Sequence, residues 1–231
     1  MTIELIKTEV AKRGITRLCH FTPSRNLVHI ALDPRGILST SKLHQDERAA
    51  FNPTDLQRLD GYPDHVCCSI QYPNSWYFRR ARAMDRIFDD WVVLMLSPAS
   101  LWKTGTKFCT RNAAAQRGAG VQAGIEGFTG MFAEETTGAY GRTFVRQALR
   151  PMNATTDEQA EVLVVDNVTS DEVIGIAVRD ESQAKRETLR LKMLAAVIPR
   201  LYIVEEFFDP NRLSSCLARG NSIAELEFIP E

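Results

Sequence analysis

The apolar positions of the chain fall into short runs that polar and turn-forming stretches separate. Runs of consecutive apolar and β-branched residues predict buried strands at 66–71, 91–96, 161–165, 174–178 and 201–204. Apolar positions at helical spacing predict helices over 1–15, from Ser75 to about residue 88, and over 182–197. This alternation predicts one mixed α/β domain, covering 1–231, with short strands and peripheral helices.

Three further stretches lie between these elements. Thr22-Pro23-Ser24 favours a helix start, with a hydroxyl cap and an early proline, and Gly36 ends that unit. The stretch 39–63 is polar and is expected to be a linker. Eight of the thirteen glycines fall between Gly105 and Gly141, which predicts a long, pliable insertion that is mobile without ligand.

Composition narrows the class of protein. The chain of 231 residues is 44% hydrophobic and 25% charged, as in ordinary globular domains. It shows neither a stretch long enough to span a membrane nor a secretory signal, so we expect no membrane contact. Five cysteines without a CxxC pair favour a reducing cytoplasm and give no support for a metal site. The net charge of −1 argues against a protein that coats nucleic acid, but not against an enzyme that grips a short strand locally.

Glu161 is a carboxylate at the head of a run that is otherwise apolar. A buried, unpaired carboxylate is costly, so Glu161 is either paired at a strand edge or placed at a strand mouth for chemistry. Glu158 competes for the same role. It stands before the strand, beside Asp157, where we expect a solvated turn.

His20, Arg58 and Ser69 each allow two interpretations. His20 is either a strand-end histidine bonded to backbone or a phosphate-site residue just before a helix N-terminus. Arg58 either forms an exposed ion pair of little energetic value or offers its planar fork to a phosphate. A serine inside a strand has a structural role in most proteins, and Ser69 lies inside the strand 66–71.

The order of four segments carries a resemblance to a known family. The segments are Cys19-His20-Phe21-Thr22, Asp55-Leu56-Gln57-Arg58-Leu59-Asp60-Gly61, Ser69-Ile70-Gln71-Tyr72-Pro73-Asn74 and the Glu161 strand. Together they resemble the DarT-type ADP-ribosyltransferases, toxins that transfer ADP-ribose from NAD to a nucleic-acid base. The likeness runs from roughly residue 17 to residue 180. It implies an α+β, ADP-ribosyltransferase-like fold with short central β-sheets and peripheral helices.

The resemblance also implies how NAD, as co-substrate, is held. The implied contacts are His20, Thr22, Asn26, Arg58, Ser69, Tyr72 and Phe78. His20 is expected to hold the adenosine ribose and Ser69 to support the nicotinamide half. Arg58 is expected to clamp the pyrophosphate, with Arg48 as its rival. Tyr72, Tyr77 and Phe78 are candidates for an aromatic face against the nicotinamide ring, with core packing as the default for Phe78.

Glu161 and Arg58 are the catalytic residues that the resemblance implies. Loss of nicotinamide leaves positive charge on the ribose, as in glycoside cleavage. A carboxylate that accepts a hydrogen bond from the ribose 2′-hydroxyl stabilises that positive charge. The same carboxylate also accepts a proton from the attacking base nitrogen.

The region 105–158 is the expected target-binding loop. Basic residues are spread through it with aromatic residues between them, and we select Arg111, Asn112, Arg117 and Arg146 as nucleic-acid contacts. Acidic residues dilute this charge, so a merely solvated loop is the alternative.

The resemblance implies single-stranded DNA, rather than RNA, as the partner. The target base is guanine or thymine, and Leu59-Asp60-Gly61 and Tyr72-Pro73-Asn74 bring the chain nearer the guanine branch. A macrodomain antitoxin and a bacterial toxin–antitoxin or phage-defence setting are also implied. The alternatives are an RNA-modifying enzyme, a protein-modifying transferase of the same fold and a non-catalytic α/β binding module.

Overall fold

The computed structural model of the chain describes residues 2–45, 58–85, 88–138, 141–194, 196 and 199–230. Its helices are α1 (Thr2–Arg13), α2 (Leu27–Leu32), α3 (Thr40–Gln45), α4 (Ser75–Met84), α5 (Gly124–Gly130), α6 (Glu181–Met193) and α7 (Pro210–Arg219). Its strands are β1 (Leu18–Pro23), β2 (Ile37–Leu38), β3 (His65–Ile70), β4 (Trp91–Leu96), β5 (Lys107–Cys109), β6 (Val121–Ala123), β7 (Glu135–Thr137), β8 (Thr143–Val145), β9 (Glu161–Val165), β10 (Asn167–Val168), β11 (Val173–Val178), β12 (Leu201–Ile203) and β13 (Leu226–Phe228).

Within the described residues, nine strands form one mixed sheet in the order β13-β12-β11-β4-β1-β3-β9-β5-β6. The pair β11–β12 is parallel and the other neighbours are antiparallel. Two smaller pairs, β10–β2 and β7–β8, flank it. The predicted combination of short strands and peripheral helices is confirmed. Because β1, β3 and β9 are neighbours, His20, Ser69 and Glu161 lie on three adjacent strands.

The central strand β4 explains why its run is apolar throughout. Val92, Leu94 and Leu96 point into one core cluster, and the alternating Trp91, Val93 and Met95 point into another on the opposite face. All six side chains are buried. The sheet is therefore covered on both sides, which is the environment that a continuous apolar strand requires.

The unit that follows β1 differs from the expected capped helix. The strand continues through Pro23, a 3₁₀ turn occupies Ser24–Asn26, and α2 begins only afterwards. Pro23 precedes the turn without a side-chain cap. A helical segment does begin within the predicted Thr22-Pro23-Ser24 start, at Ser24, but the predicted hydroxyl cap is wrong, because the extended backbone of β1 pairs with β4 as far as Pro23.

The described part of the glycine-rich region, 105–138 and 141, contains regular elements joined by turns. It contributes β5 and β6 to the sheet and α5 to one face, where Phe128 is fully buried against Phe108. Its glycines permit close packing: a Cβ at Gly118 would stand 2.2 Å from the carbonyl oxygen of Asp60, and one at Gly138 would stand 2.2 Å from the ring of Phe144. Mobility of this region without ligand stays a prediction.

The predicted linker 39–63 is only partly described. Its first residues form α3, and 58–63 form a turn that leads into β3. Residues 46–57, which include Arg48 and the Asp55-Leu56-Gln57 part of the motif, lie outside the described residues.

Candidate active site

A deep cleft opens over β1, β3 and β9 and encloses about 1230 Å³, its open mouth included. That volume is ample for a ligand of dinucleotide size. Seven of the residues selected from the sequence line it, namely His20, Thr22, Asn26, Arg58, Ser69, Asn112 and Glu161. Tyr77 and Asn74 line it as well. The structure thus brings together residues that are up to 141 positions apart in the chain.

Glu161 is the first residue of β9, and its carboxylate is held by the loop that follows β5. One oxygen accepts from the Asn112 Nδ2 at 3.0 Å, and the other accepts from the Ala113 backbone N–H at 3.0 Å. The Asn112 Oδ1 in turn accepts from the Ala114 N–H at 3.1 Å, which fixes the amide orientation. Glu161 is only 7% exposed. Its carboxylate therefore has one defined orientation at the cleft floor, and Asn112 serves that orientation.

Glu158 has a different environment from the one predicted. Its carboxylate accepts from the Trp76 Nε1 at 3.1 Å and from the Ser214 hydroxyl at 2.5 Å, and it pairs with Arg150 at 3.4 Å. Its side chain is 17% exposed, so the expected solvated turn is wrong. Glu158 is not among the cleft-lining residues, and its bonds join α4, α7 and the turn before β9.

His20 is held in one tautomer by the neighbouring strand. Its Nδ1–H donates to the Cys67 carbonyl at 2.8 Å, and Nε2 remains as an acceptor. Burial lowers the pKa of His20 below the ordinary 6.5, and the positive charge of Arg58 lowers it further, although the bond to Cys67 opposes this. The imidazole is therefore neutral at neutral pH.

The lowered pKa predicts a pH dependence of stability. The folded protein binds the His20 proton more weakly than the unfolded chain does, so the stability that His20 contributes is present above pH 6.5 and decreases as the pH falls below that value. We expect the difference in unfolding free energy between wild type and His20→Gln to shrink between about pH 8 and about pH 5 in urea denaturation. A difference that stays constant over this range would contradict the lowered pKa.

Thr22 and Asn26 form a second polar pair in the cleft. The Asn26 Nδ2 donates to the Thr22 hydroxyl at 2.8 Å. Within the described residues, the Asn26 Oδ1 is buried and has no hydrogen-bond partner. A buried acceptor without a donor is costly, which makes this oxygen a candidate for a ligand donor.

Ser69 connects β3 to the start of α4. Its hydroxyl accepts from the Asn74 N–H at 3.2 Å, and the Asn74 Oδ1 accepts from the Tyr77 N–H at 3.0 Å. Asn74 rather than Ser75 therefore caps α4. The sequence signal for this cap is the Pro73-Asn74 pair that precedes the helix.

Arg58 lies in the cleft wall, but its guanidinium is engaged within the protein. It pairs with both oxygens of Asp60, at 3.2 and 2.7 Å, and it donates to the carbonyls of His65 and Tyr62 and to the Thr40 hydroxyl. These bonds use all five N–H donors of the side chain. Arg58 is 7% exposed and Asp60 is 4% exposed, so the expected exposed pair is instead a buried one that closes the turn before β3.

Two aromatic residues expected to contact NAD do not line the cleft. Phe78 is 1% exposed and packs against Phe21 and Trp91. Tyr72 packs edge-on against Phe207, outside the cleft lining. The helical periodicity of α4 turns Phe78 inward, and it is Tyr77 that reaches the cleft.

The three arginines selected as nucleic-acid contacts differ in exposure. Arg111 is buried and donates to the Thr137 carbonyl and to Gln116. Arg146 is half-buried and donates to two backbone carbonyls. Arg117 is exposed, on a turn where its φ is +54°. Of the three, Arg117 is the most exposed.

The described residues contain no group of three or more His, Cys, Asp or Glu side chains arranged to hold a metal ion. No helix in those ranges combines the length and apolarity needed to cross a membrane.

The comparisons with known proteins identify the chain as an ADP-ribosyltransferase and name its family. The sequence model of the DarT family, which is described as ssDNA thymidine ADP-ribosyltransferase, matches residues 19–209. The chain belongs to the DarT family, as the order of the four segments predicts. Among curated protein sequences, no significant match is found.

Solved structures of this family have the same fold. Thermus sp. 2.9 DarT in complex with ADP-ribosylated ssDNA is similar with a TM-score of 0.56 and 17% identity, over 84% of this chain and 97% of that one. The same protein in complex with NAD+ gives a TM-score of 0.54 and 19% identity, over 84% and 97% of the two chains. Thermosipho africanus DarTG in complex with ADP-ribose gives 0.54 and 13% identity, over 84% of this chain and 51% of that one.

Proposed function

We propose that the chain transfers ADP-ribose from NAD to a thymine base in single-stranded DNA and releases nicotinamide. The observation that carries this proposal is the Glu161 carboxylate, fixed at the floor of the cleft by Asn112 and the Ala113 N–H. The family description, which names ssDNA and thymidine, supports it. So do the similar structures, whose titles name NAD+ and ADP-ribosylated ssDNA.

Thymine replaces guanine as the favoured base. Two short motifs favoured the guanine branch, but a family model over 191 residues outweighs two tripeptides, and its description names thymidine. Thymidine carries one base N–H, so the nitrogen that forms the new bond must lose that proton during transfer.

NAD binding is assigned to the polar groups that the cleft leaves available. The Nε2 of neutral His20 accepts from a ribose hydroxyl, and the buried Asn26 Oδ1 accepts from a donor on the adenosine half. The hydroxyl of Ser69 stands near the nicotinamide half, with Tyr77 as the aromatic neighbour. Asn112, expected to contact DNA, is assigned instead to positioning Glu161.

Arg58 receives a modified role. Its donors are already bonded to Asp60 and to backbone carbonyls, so direct clamping of the pyrophosphate would break a buried ion pair. We assign Arg58 to holding the cleft wall and to supplying positive potential there. Arg48, outside the described residues, remains the alternative clamp.

The proposed reaction has two coupled parts. The bond between nicotinamide and the ribose C1 breaks, and nicotinamide leaves as a neutral molecule with the electron pair of that bond. Positive charge develops on the ribose and is stabilised by the nearby Glu161 carboxylate, which accepts from the 2′-hydroxyl. The thymine nitrogen forms the new bond to C1, and its proton passes to Glu161. Because Glu161 is held before the substrate arrives, little reorganisation is needed.

A toxin role within a toxin–antitoxin pair is also proposed. The match covers only 51% of the Thermosipho africanus DarTG chain, so that chain carries a further segment of similar length. The partner that the chemistry requires is a protein that recognises ADP-ribose on DNA and removes it, for which a macrodomain antitoxin is suited.

Incubation with labelled NAD tests the activity. We expect label on a thymine-containing single-stranded oligonucleotide, and none on a matched strand without thymine or on the corresponding RNA. The label must appear together with free nicotinamide in equal amount. Label on protein, or label on a thymine-free strand, would contradict the proposed substrate.

A further inference from the structure

The arginines of the described residues fall into two groups, those that form an ion pair with a carboxylate and those that do not. Most arginines in the described residues pair with a carboxylate. Those without one in these ranges are Arg79, Arg80, Arg82, Arg111, Arg117, Arg142, Arg146 and Arg219. All but Arg219 belong either to α4 or to the region 105–158. In a chain of net charge −1, the arginines without a carboxylate partner in the described residues are therefore concentrated in two stretches.

Helix α4 carries this charge on an exposed face. Arg82 donates to the Phe208 carbonyl, but Arg79 and Arg80 are exposed and make no such bond within the described residues. The Arg79 guanidinium lies 4.8 Å from the centre of the Trp76 ring. The indole N–H of Trp76 is bonded to Glu158, so the ring that supports Arg79 is itself fixed.

The exposed face begins at the cleft. Tyr77, which lines the cleft, is three positions before Arg80, so the two side chains are neighbours about 4.5 Å apart along the helix axis. Trp76 reaches the turn before β9 through Glu158, three residues before Glu161. Arg80 therefore lies beside a cleft-lining residue of α4, and the Trp76–Arg79 pair lies next to it on the same exposed face of the helix.

We propose that the α4 face (Trp76, Arg79 and Arg80) binds the phosphate backbone of single-stranded DNA next to the nucleotide that is modified. This inference rests on the proposed function, because it assigns a path to the DNA of that reaction. A phosphate group supplies the negative partner that the guanidinium groups of Arg79 and Arg80 do not have within the described residues. A guanidinium group donates to two phosphate oxygens at once through two of its N–H groups. The target nucleotide enters the cleft while its neighbours along the strand cross α4.

The test is a double substitution, Arg79→Gln with Arg80→Gln, against a control of equal charge change, Lys192→Gln with Arg219→Gln. Lys192 and Arg219 are exposed on α6 and α7. We expect the α4 variant to bind a thymine-containing 20-mer about tenfold more weakly and to reduce the salt slope of log K by about 1.4, or about 0.7 for each phosphate contact. The control should match wild type, and NAD affinity should be unchanged in both.

Substrate length gives a second measurement. With free thymidine as acceptor, which has no phosphate and no neighbouring nucleotide to contact α4, the α4 variant should transfer ADP-ribose at the wild-type rate. Equal DNA binding by the α4 variant and the control would overturn the inference, as would loss of NAD affinity in the α4 variant. If wild type binds the 20-mer through α4 but transfers no label to it, the proposed function fails and the binding surface stands.

Discussion

Glu161→Gln is expected to lower kcat for ADP-ribose transfer by about 10³-fold or more, while the protein still folds and binds NAD. The amide has nearly the same shape as the carboxylate, but it carries no negative charge for the developing cation and accepts no proton from the base. Single-turnover transfer from labelled NAD to a thymine-containing oligonucleotide measures this loss directly, and a thermal shift with NAD reports whether binding survives.

The hydrogen bonds of Glu161 allow charge to be separated from structure. In the Gln variant, the new amide N–H group faces a donor, either the Asn112 Nδ2 or the Ala113 N–H, and Asn112 is prevented from flipping by its bond to Ala114. The unfavourable contact should cost about 1–3 kcal/mol of stability. Adding Asn112→Asp restores an acceptor for the amide and keeps the bond to Ala114. We expect the double variant to regain stability but not activity.

Two outcomes would contradict the catalytic assignment. If Glu161→Gln keeps its rate within about tenfold, which is about 1.4 kcal/mol of barrier, Glu161 is structural. If the double variant recovers transfer, a carboxylate anywhere on this part of the cleft suffices, and the orientation seen for Glu161 is not required.

Residues whose role follows from local pattern were predictable. The run at 91–96 is apolar because both faces of β4 are covered, and such a run reads as buried without knowledge of its neighbours. Glu161 stands out from the same kind of pattern, because it is a charged residue at the first position of a strand that is otherwise apolar. The order of the motifs then predicted that His20, Ser69 and Glu161 share a cleft, and the strand order β1-β3-β9 places them together.

Residues whose role depends on distant partners were not predictable. Nothing near Asn112 in sequence indicates that its amide holds Glu161, 49 positions away. Glycine density predicts pliability in 105–141. It does not indicate that position 118 must be glycine because a Cβ there would stand 2.2 Å from the carbonyl oxygen of Asp60. Likewise, Glu158 appears solvated beside Asp157, and only the packing of α4 and α7 against that turn buries it.

Arg58→Ala is expected to lower the free energy of unfolding by about 3–5 kcal/mol, because it leaves the buried carboxylate of Asp60 without its partner. The carbonyls of Tyr62 and His65 lose their donors as well. Urea denaturation measures the loss. Arg58→Lys should recover only part of it, since a single ammonium group cannot reach both carboxylate oxygens and both carbonyls.

The control for Arg58 is Arg212→Ala, whose pair with Glu205 is more than half exposed on both sides and should contribute at most about 1 kcal/mol. Removing Asp60 together with Arg58 (Arg58→Ala with Asp60→Ala) should restore part of the lost stability, because no buried charge then remains unpaired. A clamp on the pyrophosphate makes the opposite prediction: Arg58→Ala would abolish NAD binding at nearly unchanged stability. That result would show that the bonds of Arg58 to Asp60 open when NAD binds, and it would return Arg58 to the role that the sequence resemblance implies.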